Sequence, residues 1–158
     1  MKSKVYIETT VVSYYTASFS RDVVIAGHQQ ATREFWFKLG RHFEAYISSL
    51  VIKEAGSGNR EQAKIRLEAI RSFPVLEIDH EAEHLAEKII AGHGIPEKYP
   101  EDALHIAIAA VNGVNIIVTW NFAHLNNPFT RMMIRQIVEN EGYICPEIVS
   151  PDEFSGEK

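Results

Sequence analysis

Three carboxylates and one amide stand where apolar segments begin or end. Glu8 closes VYIE, Glu54 follows SSLVI, Asp102 opens DALHIAIAAV and Asn121 closes NIIVTWN. In a chain that alternates strands and helices, strand ends and helix starts collect along one edge of the sheet, the usual ligand crevice of open α/β folds. Carboxylates gathered there repel one another unless a cation sits between them. An oxygen-rich set of this kind points to a hard divalent metal ion.

Each acid has an ordinary explanation when taken alone. Glu8 reads as a strand-end carboxylate in water, Glu54 as a solvated helix-end acid, and Glu101 with Asp102 as favoured negative charge in a first helical turn. Asp102 differs because Ile106 and Ala109 lie four and seven residues on, which places it at the head of a row of core residues. The placement of all of them at element boundaries carries the metal reading.

The elements that must position them alternate. Val5–Glu8 reads as a short buried strand, and Asp22–Leu39 as a helix with Ile25, Thr32, Phe35, Trp36 and Leu39 at helical spacing. Ala45–Ser48 follows as a strand. Ser48 or Ser49 caps a brief helix through Glu54 that Gly56–Asn59 interrupts. Arg60–Ser72 is expected as a helix, Val75–Ile78 as a strand, and Asp79 as the cap of a helix to about Ala91. After a Gly- and Pro-marked loop, Pro100, Glu101 and Asp102 start a helix that is apolar nearly all round and therefore central. Asn115–Thr119 is the fourth strand, Thr130–Asn140 a helix, and Tyr143–Val149 an edge strand containing Pro146. The pattern implies a mainly parallel sheet of about five strands with helices on both faces, in one domain over 1–150 and a loose tail over 151–158.

Composition narrows the class. The chain has 158 residues, 46% of them hydrophobic, which suits one folded domain and excludes disorder. A net charge of −5 argues against gripping duplex DNA through the overall field, although a bound metal can supply local positive charge. The single Cys145 cannot form an intramolecular disulfide and fits a reducing compartment. The opening MKSKVYIETT loses its apolar run at Glu8, unlike a signal peptide, and no stretch has the roughly 18 apolar residues of a membrane span. The expectation is a cytoplasmic protein.

With these pieces in order, the sequence resembles the PIN-domain family, small metal-dependent ribonucleases that include the VapC toxins of bacterial toxin–antitoxin pairs. The resemblance runs from VYIETT to about Ile148. It rests on Glu8 in YIETT, Glu54 in SSLVIKE, Asp102 in PEDALHIAIA, and Thr119, Asn121 and His124 in TWNFAHL. It implies a three-layer α/β/α fold, Mg²⁺ or Mn²⁺ held by Glu8, Glu54 and Asp102, and endonucleolytic cleavage of RNA. It also implies a homodimer neutralised by a small antitoxin protein that occupies the acidic groove. Two departures stand out. The family usually has Asp at the first acid, where this chain has Glu8, and an acid at the last position, where it has Asn121 and His124. The alternative is a PIN-like RNA-binding or protein-interaction module with a weakened site.

Under this resemblance the ion would orient and acidify a water for in-line attack on a phosphodiester. Thr119 and Asn121 would orient Asp102 or the phosphate, and His124 would protonate the leaving oxygen or contact phosphate. Thr9 and Thr10 read as caps, and Arg21 and Lys53 as phosphate contacts. Tyr14, Tyr15, Phe19, Trp120 and Phe122 are candidates for stacking on bases, against core packing for most aromatics, Phe35, Trp36 and Phe37 among them. A competing motif, His80-Glu81-Ala82-Glu83-His84, matches the zinc-peptidase pattern H-E-x-x-H. Its histidines fall opposite the apolar stripe of Ala82, Leu85, Ala86 and Ile89, so the match reads as coincidence on a solvated face.

Overall fold

The computed structural model describes residues 2–155. Among the described residues, five strands form one parallel sheet: β1 (Ser3–Ile7), β2 (Phe43–Ser48), β3 (Val75–Leu76), β4 (Ile116–Val118) and β5 (Glu147–Val149), in the order β3-β2-β1-β4-β5. Helices α1 (Thr9–Thr16), α2 (Val23–Lys38), α3 (Ser49–Ala55) and α4 (Arg60–Ile70) pack as one group. Helices α5 (His80–Ala91), α6 (Pro100–Val111) and α7 (Pro128–Asn140) form another, with α5 touching both α6 and α7. The expected architecture holds.

Strand order explains where chemistry can occur. The chain steps from β1 to β2 to β3 in one direction, then returns to the other side of β1 with β4 and β5. The order therefore reverses between β1 and β4, and open parallel sheets bind ligands outside the strand C-termini at such a reversal. Glu8 directly follows β1, and Thr119 directly follows β4.

Burial follows from helices on the sheet. Val5, Tyr6 and Ile7 in β1 are all fully buried, as strands covered on both faces must be. Helix α6 is equally enclosed, with Ala103 and His105–Ala110 buried, which meets the expectation of a central helix. Side-chain caps set the helix starts. Asp22 accepts from the Ile25 amide at 3.0 Å, Ser48 from Val51 at 3.1 Å and Asp79 from Ala82 at 2.9 Å.

Several boundaries move. The last strand starts only at Glu147, because Pro146 has no N–H to give a ladder. Helix α7 starts two residues earlier than expected, at Pro128, since Asn127 accepts from the Thr130 amide at 2.9 Å and Pro suits the first helical position. Within the segment expected to be loose, Pro151–Phe154 form a 3₁₀ turn. Phe154 packs on Phe35 with ring centroids 4.8 Å apart, and its carbonyl accepts from the Lys38 ammonium. Residues 156–158 lie outside the described residues. The Phe35-Trp36-Phe37 run divides by helical geometry. Phe35 is core, Trp36 stacks on Tyr15 at 4.0 Å, and Phe37 is exposed. No helix among the described residues is long and apolar enough to cross a membrane.

Candidate metal centre

Glu8 is the N-cap of α1 as well as the residue directly after β1. Its Oε1 accepts from the Thr10 amide at 3.2 Å, from the Thr119 hydroxyl at 2.6 Å and from the Thr10 hydroxyl. The carboxylate is 4% exposed, and burial pushes its pKa up against the field of His105 and the threonine hydrogen bonds. The same hydroxyls lace the two strand ends together. Thr10 Oγ1 accepts from the Trp120 amide and Thr119 Oγ1 from the Asn121 amide, each at 2.9 Å. Thr119 thus orients Glu8, where the sequence suggested Asp102 or the phosphate. Thr9 and Thr10 are the first helical residues rather than the cap, and both serve the acids.

Glu54 enters from the last turn of α3. Its Oε1 accepts from Thr9 Oγ1 at 2.5 Å and lies 2.8 Å from His105 Nε2. Burial raises its pKa, but the His105 hydrogen bond and charge, with Thr9 and the Lys53 field, outweigh that and leave it lowered. His105 comes from α6, fully buried, and its Nδ1 meets the Tyr6 hydroxyl at 2.6 Å. Burial lowers its pKa, yet the Glu54 hydrogen bond and the fields of Glu8, Glu54 and Asp102 raise it overall.

Ligand atoms of Glu8, Glu54 and His105 lie within 4.8 Å of one another, a grouping able to hold a metal ion. Asp102 opens the same helix as His105, and its field reaches that imidazole. It stands beside this tight trio, with Oδ2 2.9 Å from His124 Nδ1. Burial raises its pKa against His124, His105 and the Asn121 amide. Asn121 Oδ1 also accepts from the His124 backbone amide at 3.0 Å, so one side chain steadies both partners.

The donor set fits a divalent ion. Every hydrogen bond to the side-chain carboxylates of Glu8 and Glu54 among the described residues is made to Oε1, and Oε2 of each accepts none. Two carboxylates with a spare oxygen apiece, and a third acid nearby, suit a hard divalent cation.

Other sequence candidates fall outside this cluster. Glu101, Arg21 and Lys53 are exposed, with no hydrogen bond to the acids, and Lys53 acts on Glu54 only through its field. The H-E-x-x-H histidines are exposed on α5, His80 beside Glu83 at 3.5 Å and His84 beside Glu141 at 3.8 Å, as the stripe argument required. His105, Tyr6 and Ser48 were missed. The available signal was His105 three residues after Asp102 on one helix face, in an otherwise apolar helix.

These shifts set a pH dependence for the metal-free protein. Glu8, Asp102 and His105 titrate above their ordinary values, so the folded chain keeps protons that the unfolded chain releases. Their contribution is complete below the unfolded values and is lost as pH climbs through the folded ones. Glu54 has the opposite sign, its contribution being present above its unfolded value and lost as pH falls through its lowered one. In EDTA, Tm is therefore expected to fall as pH rises through and beyond the ordinary imidazole value of about 6.5. Saturating Mn²⁺ should flatten this slope, because the ion favours the deprotonated acids. A metal-free Tm that climbs across the same window contradicts the assignment.

A PIN-domain family model matches residues 5–126. The chain belongs to the PIN-domain family. Among solved structures, the fold is similar to VapBC2 from Rickettsia felis bound to a DNA fragment from their promoter. That likeness has a TM-score of 0.56 and 15% identity, and covers 92% of this chain and 98% of that one. No curated protein matches the chain closely enough in sequence to count as a relative. The matched span of this PIN domain takes in Glu8, Glu54, Asp102, Thr119, Asn121 and His124 together.

Proposed function

We propose that this PIN domain is a metal-dependent endoribonuclease of the VapC-like toxin class. The observation that carries the proposal is the convergence of Glu8 and Glu54, with Asp102 alongside, at the strand-order reversal of the sheet. Mg²⁺ or Mn²⁺ bound there supplies Lewis acidity and neutralises phosphate charge that the acids would otherwise repel. Glu8, Glu54 and Asp102 are its ligands. Thr9, Thr10 and Thr119 hold the first two in place, and Asn121 with His124 holds Asp102. His124, beside Asp102 with a quarter of its side chain exposed, is the group assigned to contact phosphate or protonate the leaving oxygen.

The aromatics beside the site support a single-stranded substrate. Trp120 is buried, gives its indole N–H to Thr32 at 2.8 Å and stacks on His28 at 4.1 Å, so it is a wall of the site. Phe122, next to Asn121, is 44% exposed and meets Trp120 edge-on, which leaves a ring face for an unpaired base.

Partners follow from the same reading. The similar Rickettsia felis structure is a VapBC assembly. A groove of about 890 Å³ between α1, α2 and α4, lined by Tyr15, Trp36, Phe37 and Ile65, gives an antitoxin segment apolar surface to cover. A homodimer and a cytoplasmic location complete the proposal. The buried free thiol of Cys145 is compatible with that location.

The test is cleavage of single-stranded RNA by the purified protein with EDTA, and again after Mn²⁺ or Mg²⁺ is restored. Cleavage present only with the ion supports the enzyme. A protein whose Tm does not respond to either ion, and which cuts nothing, is an inactive PIN-like module.

A further inference from the structure

Beneath the acids a chain of buried polar groups crosses the core. Ser48, Tyr6 and His105 are all fully buried. The Tyr6 hydroxyl lies 2.8 Å from Ser48 Oγ and 2.6 Å from His105 Nδ1, and His105 Nε2 lies 2.8 Å from Glu54 Oε1. No buried side-chain polar atom among the described residues lacks a partner. A half-satisfied network would weaken an otherwise apolar core, whereas a complete one specifies one arrangement.

The members of this chain sit on the elements that carry the acids. Tyr6 belongs to β1, two residues before Glu8, and His105 to α6, three residues after Asp102. Ser48 caps α3, the helix of Glu54, by accepting from the Val51 amide at 3.1 Å. One run of hydrogen bonds therefore sets the mutual positions of three separate elements. Without a metal, the approach of Nε2 to a carboxylate oxygen is favourable only with a proton on Nε2, since two lone pairs would repel. Oε1 of Glu54 is then taken by His105 and Thr9, and Oε2 is left over.

The geometry points to His105 as a positioning residue. Aimed by Tyr6 and Ser48, its Nε2–H holds Oε1 of Glu54, presents Oε2 to the ion, and is not itself a ligand. This rests on the metal reading above and adds the group that orients its ligands. Partners of metal ligands are typically worth about 10–100-fold in metal affinity.

The experiment is Mn²⁺ binding to the full chain, followed by calorimetry and thermal shift, in wild type, His105→Gln, His105→Leu and Tyr6→Phe. Glutamine places an N–H close to where Nε2 lies, so H105Q should keep affinity within a few-fold. H105L should lose about 10–100-fold. Y6F removes only a hydroxyl and should weaken binding several-fold, which keeps the question answerable if H105L does not fold. Variants that lower Tm but bind Mn²⁺ like wild type would make His105 a plain core residue and overturn the inference while leaving the function intact. Loss of affinity in H105Q, with imidazole nitrogen coupling to Mn²⁺ in wild-type pulsed EPR, would make His105 a ligand and also overturn it. Wild type that binds no Mn²⁺ overturns both readings.

Discussion

Replacing Asp102 by Asn is expected to cut RNA cleavage by orders of magnitude while leaving the fold intact. The substitution keeps shape and removes one negative charge from the acidic cluster. Metal-assisted stabilisation of transition-state charge is worth several kcal/mol, and each 1.36 kcal/mol is about tenfold in rate, so a loss on the order of 10²–10⁴-fold is expected. Burial already holds the Asp102 carboxyl above its ordinary pKa, so a neutral side chain there should not lower the Tm of the metal-free protein. The measurement is single-turnover cleavage beside a thermal melt in EDTA. Equal cleavage by D102N and wild type would falsify the site, and point to a contaminating nuclease or another centre.

Glu8→Gln should separate stability from activity. Glu8 Oε1 accepts three hydrogen bonds, all of which a glutamine carbonyl can also accept, while Oε2 is the bare oxygen assigned to the ion. In the metal-free state the buried carboxylate has a raised pKa, so above its folded value the charge costs stability that a neutral amide avoids. Metal-free E8Q is therefore expected to melt higher than wild type at neutral pH, each kcal/mol moving Tm by roughly 2–4 °C in a domain of this size. In exchange it should lose the Mn²⁺-induced rise in Tm and at least about 10²-fold in cleavage, the trade-off expected where a site is built at the expense of the fold. If E8Q instead melts well below wild type in EDTA, the Glu8 charge is satisfied within the protein and the pocket is not held open for a cation.

Glu8 also bears on the departure from the usual Asp. Its longer arm is fastened by Thr10 and Thr119 at one oxygen, so the extra methylene is restrained by hydroxyls from the first turn of α1 and the end of β4. Asn121 likewise keeps a role without a charge, by steadying Asp102 and the backbone of His124. The two positions that differ from the family pattern are thus each held by local hydrogen bonds.

Much of this protein could be read along the chain, because the signals are local. Period, caps and breakers identified every strand and the helices from α2 onward, since hydrophobic spacing and capping side chains act within a few residues. The acids announced themselves for the same reason, each standing at a boundary that the sequence itself marks. Boundary errors came where a single residue overrode the pattern, as Pro146 did for β5 and Asn127 for α7.

Contacts between distant residues were decided only by the tertiary structure. Strand order brought the ends of β1 and β4 together and made Thr119, 111 residues from Glu8, its hydrogen-bond donor. His105 reads in sequence as one polar residue in an apolar helix. It gains meaning only from Tyr6, 99 residues away, and Glu54, 51 residues away, since no periodicity encodes which buried donor meets which acceptor. Residue types along the chain dictate which groups are available for chemistry, and packing dictates which oxygen of each is left free to perform it.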